Sequence, residues 1–157
     1  MGQRERIGPR LRVNDKELVT ADGTGLIKRF YDDVIGKGEV DLIDELTTDD
    51  LVDHEEGLPG QPPGREGVRF FAKTIHDAFS DFRVKTMEPT LVDGNLEAAR
   101  SIVTGTHTGA FLGVAATDKA VEFESIDIIR IDDGKVAEHW GVTDVTSLMQ
   151  QLGALPE

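Results

Sequence analysis

Apolar residues recur at helical spacing in the first half of the chain and then switch to strict alternation. Leu26, Ile27, Phe30, Val34 and Ile35 repeat at the period of an amphipathic helix with one buried face. The pattern predicts a helix from near Thr24, with Asp22 or Thr24 as N-cap and Gly36 and Gly38 closing it. A shorter helix over Glu39 to Leu46 buries Val40, Ile43 and Leu46, so the two form a helical hairpin. The next stretch, Asp49 to Gly64, ends in Gly57-Leu58-Pro59-Gly60-Gln61-Pro62-Pro63-Gly64, a run too rich in proline and glycine for regular structure, and is expected as a stiff loop. A third helix follows from Arg65 to Phe79, with Val68, Phe71, Ala72, Ile75, Ala78 and Phe79 on one face.

After Ser80 the period becomes two. Phe82, Val84 and Thr86 alternate with Arg83, Lys85 and Met87, and Asp93-Gly94-Asn95 is a hairpin turn. Leu96 to His107 and Ala120 to Ile131 alternate again, Asp132-Asp133-Gly134-Lys135 turns the chain, and Val136 to Val142 returns. A last short helix over Val145 to Leu152 places Leu148 and Leu152 on one side. Helices followed by an antiparallel meander predict an α+β fold with the helices packed on one face of the sheet. Residues 1–20 are polar and aperiodic, an expected flexible N-terminal arm, and residues 21–157 are expected to form a single domain.

Composition narrows the partners. The chain has 17 Lys and Arg against 30 Asp and Glu, a formal charge of −13, which disfavours nucleic acid and anionic membrane surfaces. Hydrophobic residues make up 38%, enough for a core despite the acidity. With no cysteine, disulfides, thiolate metal sites and cysteine nucleophiles are excluded. No apolar run suits a membrane span or secretory signal, so a cytoplasmic location is expected.

Candidate chemistry is sparse. His54-Glu55-Glu56 lacks the second histidine of a zincin helix, Gly57–Gly64 lacks the Lys-Ser/Thr of a phosphate loop, and no Gly-x-Ser-x-Gly elbow occurs, so no metal or cofactor is expected. Asp127 stands out, because Ile126-Asp127-Ile128-Ile129 puts a carboxylate in mid-strand, on one face with Phe123, Ser125, Ile129 and Ile131. Either it lines an apolar pocket as a proton shuttle, or it forms a structural ion pair with a cross-strand residue such as Arg100. Glu138-His139-Trp140 returns beside it, so His139 and Asp127 project toward one cavity; for Trp140 core or a subunit interface is favoured over a place in the pocket. His107, at a strand end, and His54, before the Pro/Gly loop, are candidate rim positions, with Asp144 nearby.

Several stretches together resemble the polyketide cyclase-like (SnoaL-like) group of the NTF2-like superfamily. They are residues 26–35 with Gly38; Asp53-His54 followed by Gly60 to Gly67; Gly105 to Gly113; and, most specifically, Asp127 to Trp140 with Asp144. The resemblance covers residues 24–153. It implies a cone-shaped α+β barrel, a strongly curved antiparallel sheet with helices closing a deep pocket, and homodimers through the outer sheet face. It further implies intramolecular aldol ring closure of aromatic polyketides in antibiotic pathways, without metal or cofactor. Relatives include epoxide hydrolases, hydroxylases and members without known activity. The cyclases carry their acid/base aspartate two positions after the histidine, where this chain has Gly141, and a pocket histidine where this chain has Asp127. The expectation is therefore a cyclase-like enzyme with Asp127 and His139 catalytic, and with Phe123, His54, His107, Trp140 and Asp144 binding a hydrophobic substrate. Epoxide hydration by Asp127, Arg100 and a third acid, or non-catalytic small-molecule binding, are the alternatives.

Overall fold

The computed structural model describes residues 25–156; the N-terminal arm and the Asp22 or Thr24 cap lie outside the described residues. Helix α1 (Leu26–Arg29) continues as a π-helical segment over Phe30–Ile35. Its apolar face is the one the spacing predicts, with Ile27 and Val34 fully buried. A 3₁₀ turn (Val40–Leu42) leads into α2 (Ile43–Leu46), and α3 spans Gly64–Ala78. The strands are β1 (Thr47–Asp53), β2 (Phe79–Thr86), β3 (Leu91–Asp93), β4 (Leu96–His107), β5 (Ala120–Asp132) and β6 (Lys135–Thr143), and α4 (Val145–Leu152) ends the fold.

The sheet runs β1-β6-β5-β4-β2, with β3 added to β4. The meander β4–β5–β6 is antiparallel as expected, with Asp132–Lys135 the tight turn between β5 and β6, and Asp93-Gly94-Asn95 turns the chain from β3 into β4. One element departs from the expectation. Residues 47–53, expected largely as loop, form β1, which pairs parallel with β6 and makes the sheet mixed. The reason is its place at the sheet edge: Asp49 and Asp50 face solvent, and only Thr47 and Leu51 are buried, so the apolar pattern is faint.

The register shifts between Thr47 and Val52 on β1, between Ser80 and Arg83 on β2 and between Arg130 and Ile131 on β5, irregularities of the kind that bend a sheet. The curved sheet leaves one face for the helices. Along β5 burial alternates without a fault from Val121 to Ile129, so Phe123, Ser125, Asp127 and Ile129 all point inward. The core fills the space between that face and the helices, around Ile27, Val34, Ile43, Phe79, Ile129 and Val136.

Candidate active site

The inner face of the sheet is not packed solid. A cavity of about 160 Å³ opens between the helices and β4, β5 and β6. Six of the chain's seven phenylalanines line it: Phe30, Phe71, Phe79, Phe82, Phe111 and Phe123. Such a wall suits a flat aromatic ligand. At one end the lining turns polar, with Tyr31, Asp53, Glu55, Ser125, Asp127 and His139.

Strand register assembles this polar end. Asp127 on β5 lies opposite Gly141 on β6, and Ile129 lies opposite His139, so Asp127 and His139 are diagonal neighbours on the inner face. Asp53 at the end of β1 pairs with His139, and the His54 N–H donates to the His139 carbonyl at 2.9 Å. The π-helical segment supplies Tyr31 from the opposite side.

The side chains form one connected set. Asp127 is 2% exposed, yet accepts from three groups. The Tyr31 hydroxyl donates to its Oδ1 at 2.8 Å, Ser125 donates to its Oδ2 at 2.7 Å, and His139 Nε2 lies 3.1 Å from Oδ1. His139 Nε2 is also 2.7 Å from the Tyr31 oxygen, and its Nδ1 is 2.8 Å from Asp53 Oδ1. Both ring nitrogens thus face oxygen acceptors, which suits an imidazolium donating at each. Burial alone would lower the His139 pKa, but the hydrogen bonds to Asp127 and Asp53 outweigh it and hold it at about 9. Burial opposes the charge of Asp53 too, and there His139 wins, keeping the carboxyl below its ordinary value. Burial, reinforced by the Asp127 charge, pushes the Tyr31 hydroxyl well above the ordinary tyrosine value. Glu55 is raised by burial; the His139 charge opposes that rise and the Asp127 charge adds to it.

This pocket geometry has sequence-level company. The family profile of SnoaL-like polyketide cyclases matches residues 25–152. The chain belongs to the SnoaL-like polyketide cyclase family. Among solved structures similar to this SnoaL-like chain, TsrD from Streptomyces laurentii is 26% identical with a TM-score of 0.74, covering 84% of this chain and 95% of that one. A Bacillus cereus protein assigned as a polyketide cyclase is 33% identical, TM-score 0.71, over 83% of this chain and 79% of its own. IdmH from Streptomyces antibioticus, also assigned as a polyketide cyclase, is 29% identical, TM-score 0.71, over 83% and 97%. A search of curated proteins gives no match.

The residues singled out in sequence fall into two groups. Phe123, Asp127 and His139 lie on the cavity wall. The other four candidates do not line it. His54 is exposed, stacks on Trp140 with ring centroids 4.8 Å apart, and pairs with Glu138, all on the outer face. Trp140 is opposite Ile128, whose side chain also points outward. Strand alternation explains both: when His139 faces in, its neighbour Trp140 faces out, and when Asp53 and Glu55 face the pocket, His54 between them does not. Asp144 is the N-cap of α4, accepting from the Ser147 N–H at 2.9 Å. His107 is fully buried beside Phe79, with Nδ1 3.0 Å from Thr117 Oγ1, behind the wall that Phe79 presents to the cavity. Arg100 does not reach Asp127; it pairs with Glu124 on the outer face.

Tyr31, Asp53 and Glu55 are site residues that the sequence did not single out. Tyr31 reads as one more residue on a helix, and its link to Asp127 spans 96 positions. Asp53 and Glu55 flank the histidine that drew attention, and the alternation of Leu51-Val52-Asp53 is the signal that would have found them. Glu55, Asp127 and His139 offer ligand atoms within 4.8 Å of one another, a spacing that would accommodate a cation as well as a proton.

Proposed function

We propose that this chain is a cytoplasmic, cofactor-independent enzyme that works by proton transfer on a hydrophobic, polyketide-like aromatic ketone, of the kind met in antibiotic biosynthesis. The observation that carries the reading is Asp127, hydrogen-bonded to Tyr31 and His139 at the polar end of a phenylalanine-walled cavity. In the aldol step the Asp127 carboxylate takes the proton from carbon next to a carbonyl, and the electron pair passes to the carbonyl oxygen as an enolate. The His139 imidazolium faces the second carbonyl, whose oxygen takes up negative charge as the ring closes. The enolate carbon then attacks a second carbonyl of the same molecule, closing the ring, and the new alkoxide is protonated. Asp53 holds the imidazole in orientation through Nδ1.

Two observations favour this over the alternatives. Among the described residues no arginine lines the cavity to complete an Asp–Arg–Asp set for epoxide hydration, and Arg100 is committed to Glu124. The arginine expected to pair with a structural Asp127 pairs with Glu124 instead, and Asp127 lines the cavity.

We also propose a homodimer through the outer sheet face. Ile126, Ile128, Trp140 and Val142 are adjacent across β5 and β6, and Ile126 and Val142 are 59% and 74% exposed. The test of the catalytic reading is ring closure of polycyclic aromatic ketones bearing an open keto side chain, followed by chromatography with ultraviolet detection because substrate and product are isomers. Asp127→Asn is expected to keep the circular dichroism spectrum and lose about 10²-fold or more in kcat. An unchanged kcat refutes the role.

A further inference from the structure

Gly141 is the residue that lets the polar end of the cavity exist. A Cβ there would lie 2.6 Å from Asp127 Oδ1, 2.8 Å from Glu55 Oε2 and 2.8 Å from His139 Nε2. Every one of those distances is below real Cβ contacts, so any side chain at 141 would have to displace those three groups. Seen from the other side, three polar atoms on three elements converge on one small volume above a bare α-carbon. Their separations of up to 4.8 Å leave room for one further atom among them. A polar atom seated there has hydrogen-bonding partners on three sides, while the rest of its molecule lies against phenylalanine.

The three groups are not equivalent. Asp127 already accepts from Tyr31 and Ser125, and His139 is held by Asp53. Glu55 is tied more loosely: its other oxygen accepts from Thr143 Oγ1 at 3.3 Å, and its backbone N–H donates to Asp53 Oδ1 at 3.0 Å, which fixes the loop that carries it. Half-buried and facing a second carboxylate, Glu55 is the member of the set best suited to carry a proton rather than a charge.

We propose that Glu55, Asp127 and His139 form a seat for a single hydroxyl or carbonyl oxygen of an aromatic substrate, and that Glu55 is the acid which protonates that oxygen. This rests on the aldol reading above and completes its proton balance. As the ring closes, a carbon–carbon bond forms, the π pair of the attacked carbonyl moves to its oxygen, and the Glu55 carboxyl gives that oxygen its proton. Asp127 then holds the proton taken from carbon and Glu55 is a carboxylate; transfer of one proton from Asp127 to Glu55 restores both, and the net change is an isomerisation.

The test uses the intact protein and two probes of one shape, 2-naphthol and 2-methylnaphthalene, titrated by fluorescence. The wild-type chain is expected to bind 2-naphthol about 10-fold more tightly than 2-methylnaphthalene, the worth of a good hydrogen-bonded oxygen. Gly141→Ala, which fills the seat, and Glu55→Ala, which opens it, are expected to erase most of that preference, and Glu55→Gln to keep it. In the ring-closure assay Glu55→Gln is expected to lose about 10²-fold in kcat with KM little changed, because the amide keeps the contact but has no acidic proton. Equal binding of the two probes by the wild-type chain overturns the seat. A preference that survives Glu55→Ala, or a full kcat in Glu55→Gln, overturns the role of Glu55 while leaving that of Asp127 standing. Activity lost on dialysis against EDTA and regained with a divalent cation overturns the acid role as well, since the three groups would then be ligands. Failure of Asp127→Asn to slow turnover is a separate result and refutes the aldol reading itself.

Discussion

His139 ties the stability of this protein to pH in a direction that is easily measured. In the unfolded chain an imidazole titrates at about 6.5, whereas between Asp127, Asp53 and the Tyr31 oxygen it titrates at about 9. The folded state therefore holds this proton more tightly. Its contribution is complete below about pH 6.5 and is lost as pH rises toward 9. At about 1.4 kcal/mol per pH unit, the interval corresponds to about 3 kcal/mol. The side chain is 11% exposed, so solvent screens little of it. That is a large part of the about 5–15 kcal/mol by which a domain is ordinarily stable. The assay is urea denaturation of the wild-type chain and of His139→Gln at several pH values between 6 and 9.5. Because groups that do not face His139 titrate alike in both, the difference between the two curves reports His139 together with the carboxyls it acts on, Asp53 and Glu55. That difference is expected to shrink by about 3 kcal/mol on going from pH 6 to 9.5. Parallel curves would show that the imidazole carries no extra proton in the folded state, and the reasoning from the two carboxylates would be wrong.

Two further outcomes follow from contacts on the page. Tyr31→Phe removes the donor to Asp127 Oδ1 and the oxygen facing His139 Nε2; thermal or urea denaturation is expected to show a loss of about 1–3 kcal/mol, the cost of buried polar groups left short of a partner. Val142→Lys places a charge in the middle of the exposed apolar stripe, and sedimentation is expected to show the dimer giving way to monomer without loss of fold.

Much of this architecture was legible because its signals are local. The helical spacing from Leu26, the Asp93–Asn95 and Asp132–Lys135 turns and the alternation of β5 each lie within a few residues, and each marks a real element. Asp127 was legible for the same reason: a carboxylate at an inward position of an alternating strand has to be accounted for. The rest depends on pairing between distant segments. β1 is half acidic and becomes a strand by pairing with β6, and Tyr31 is a functional hydroxyl because a residue far along the chain comes to meet it. The histidine-rich and tryptophan-bearing clusters misled through a matter of parity. Residues adjacent in a strand look like a constellation in sequence but point to opposite faces of the sheet, so His139 enters the cavity while Trp140 leaves it, and His54 leaves it while Asp53 enters.

The pairing of Asp127 with Gly141 has a consequence for how such a site changes by descent. The resemblance implies that the cyclases carry an aspartate at the position of Gly141 and a histidine at that of Asp127, so the carboxylate it implies for them stands on the strand next to the one that carries it here. No single substitution makes that crossing. An aspartate added at 141 beside Asp127 begins with a Cβ 2.6 Å from the existing carboxylate oxygen, and replacing Asp127 first leaves Glu55 as the one carboxylate of the three groups that converge there. The two positions are therefore epistatic, and their residues are expected to be inherited as a pair. A column-by-column comparison would score both as lost catalytic residues, although the two positions lie opposite each other on paired strands.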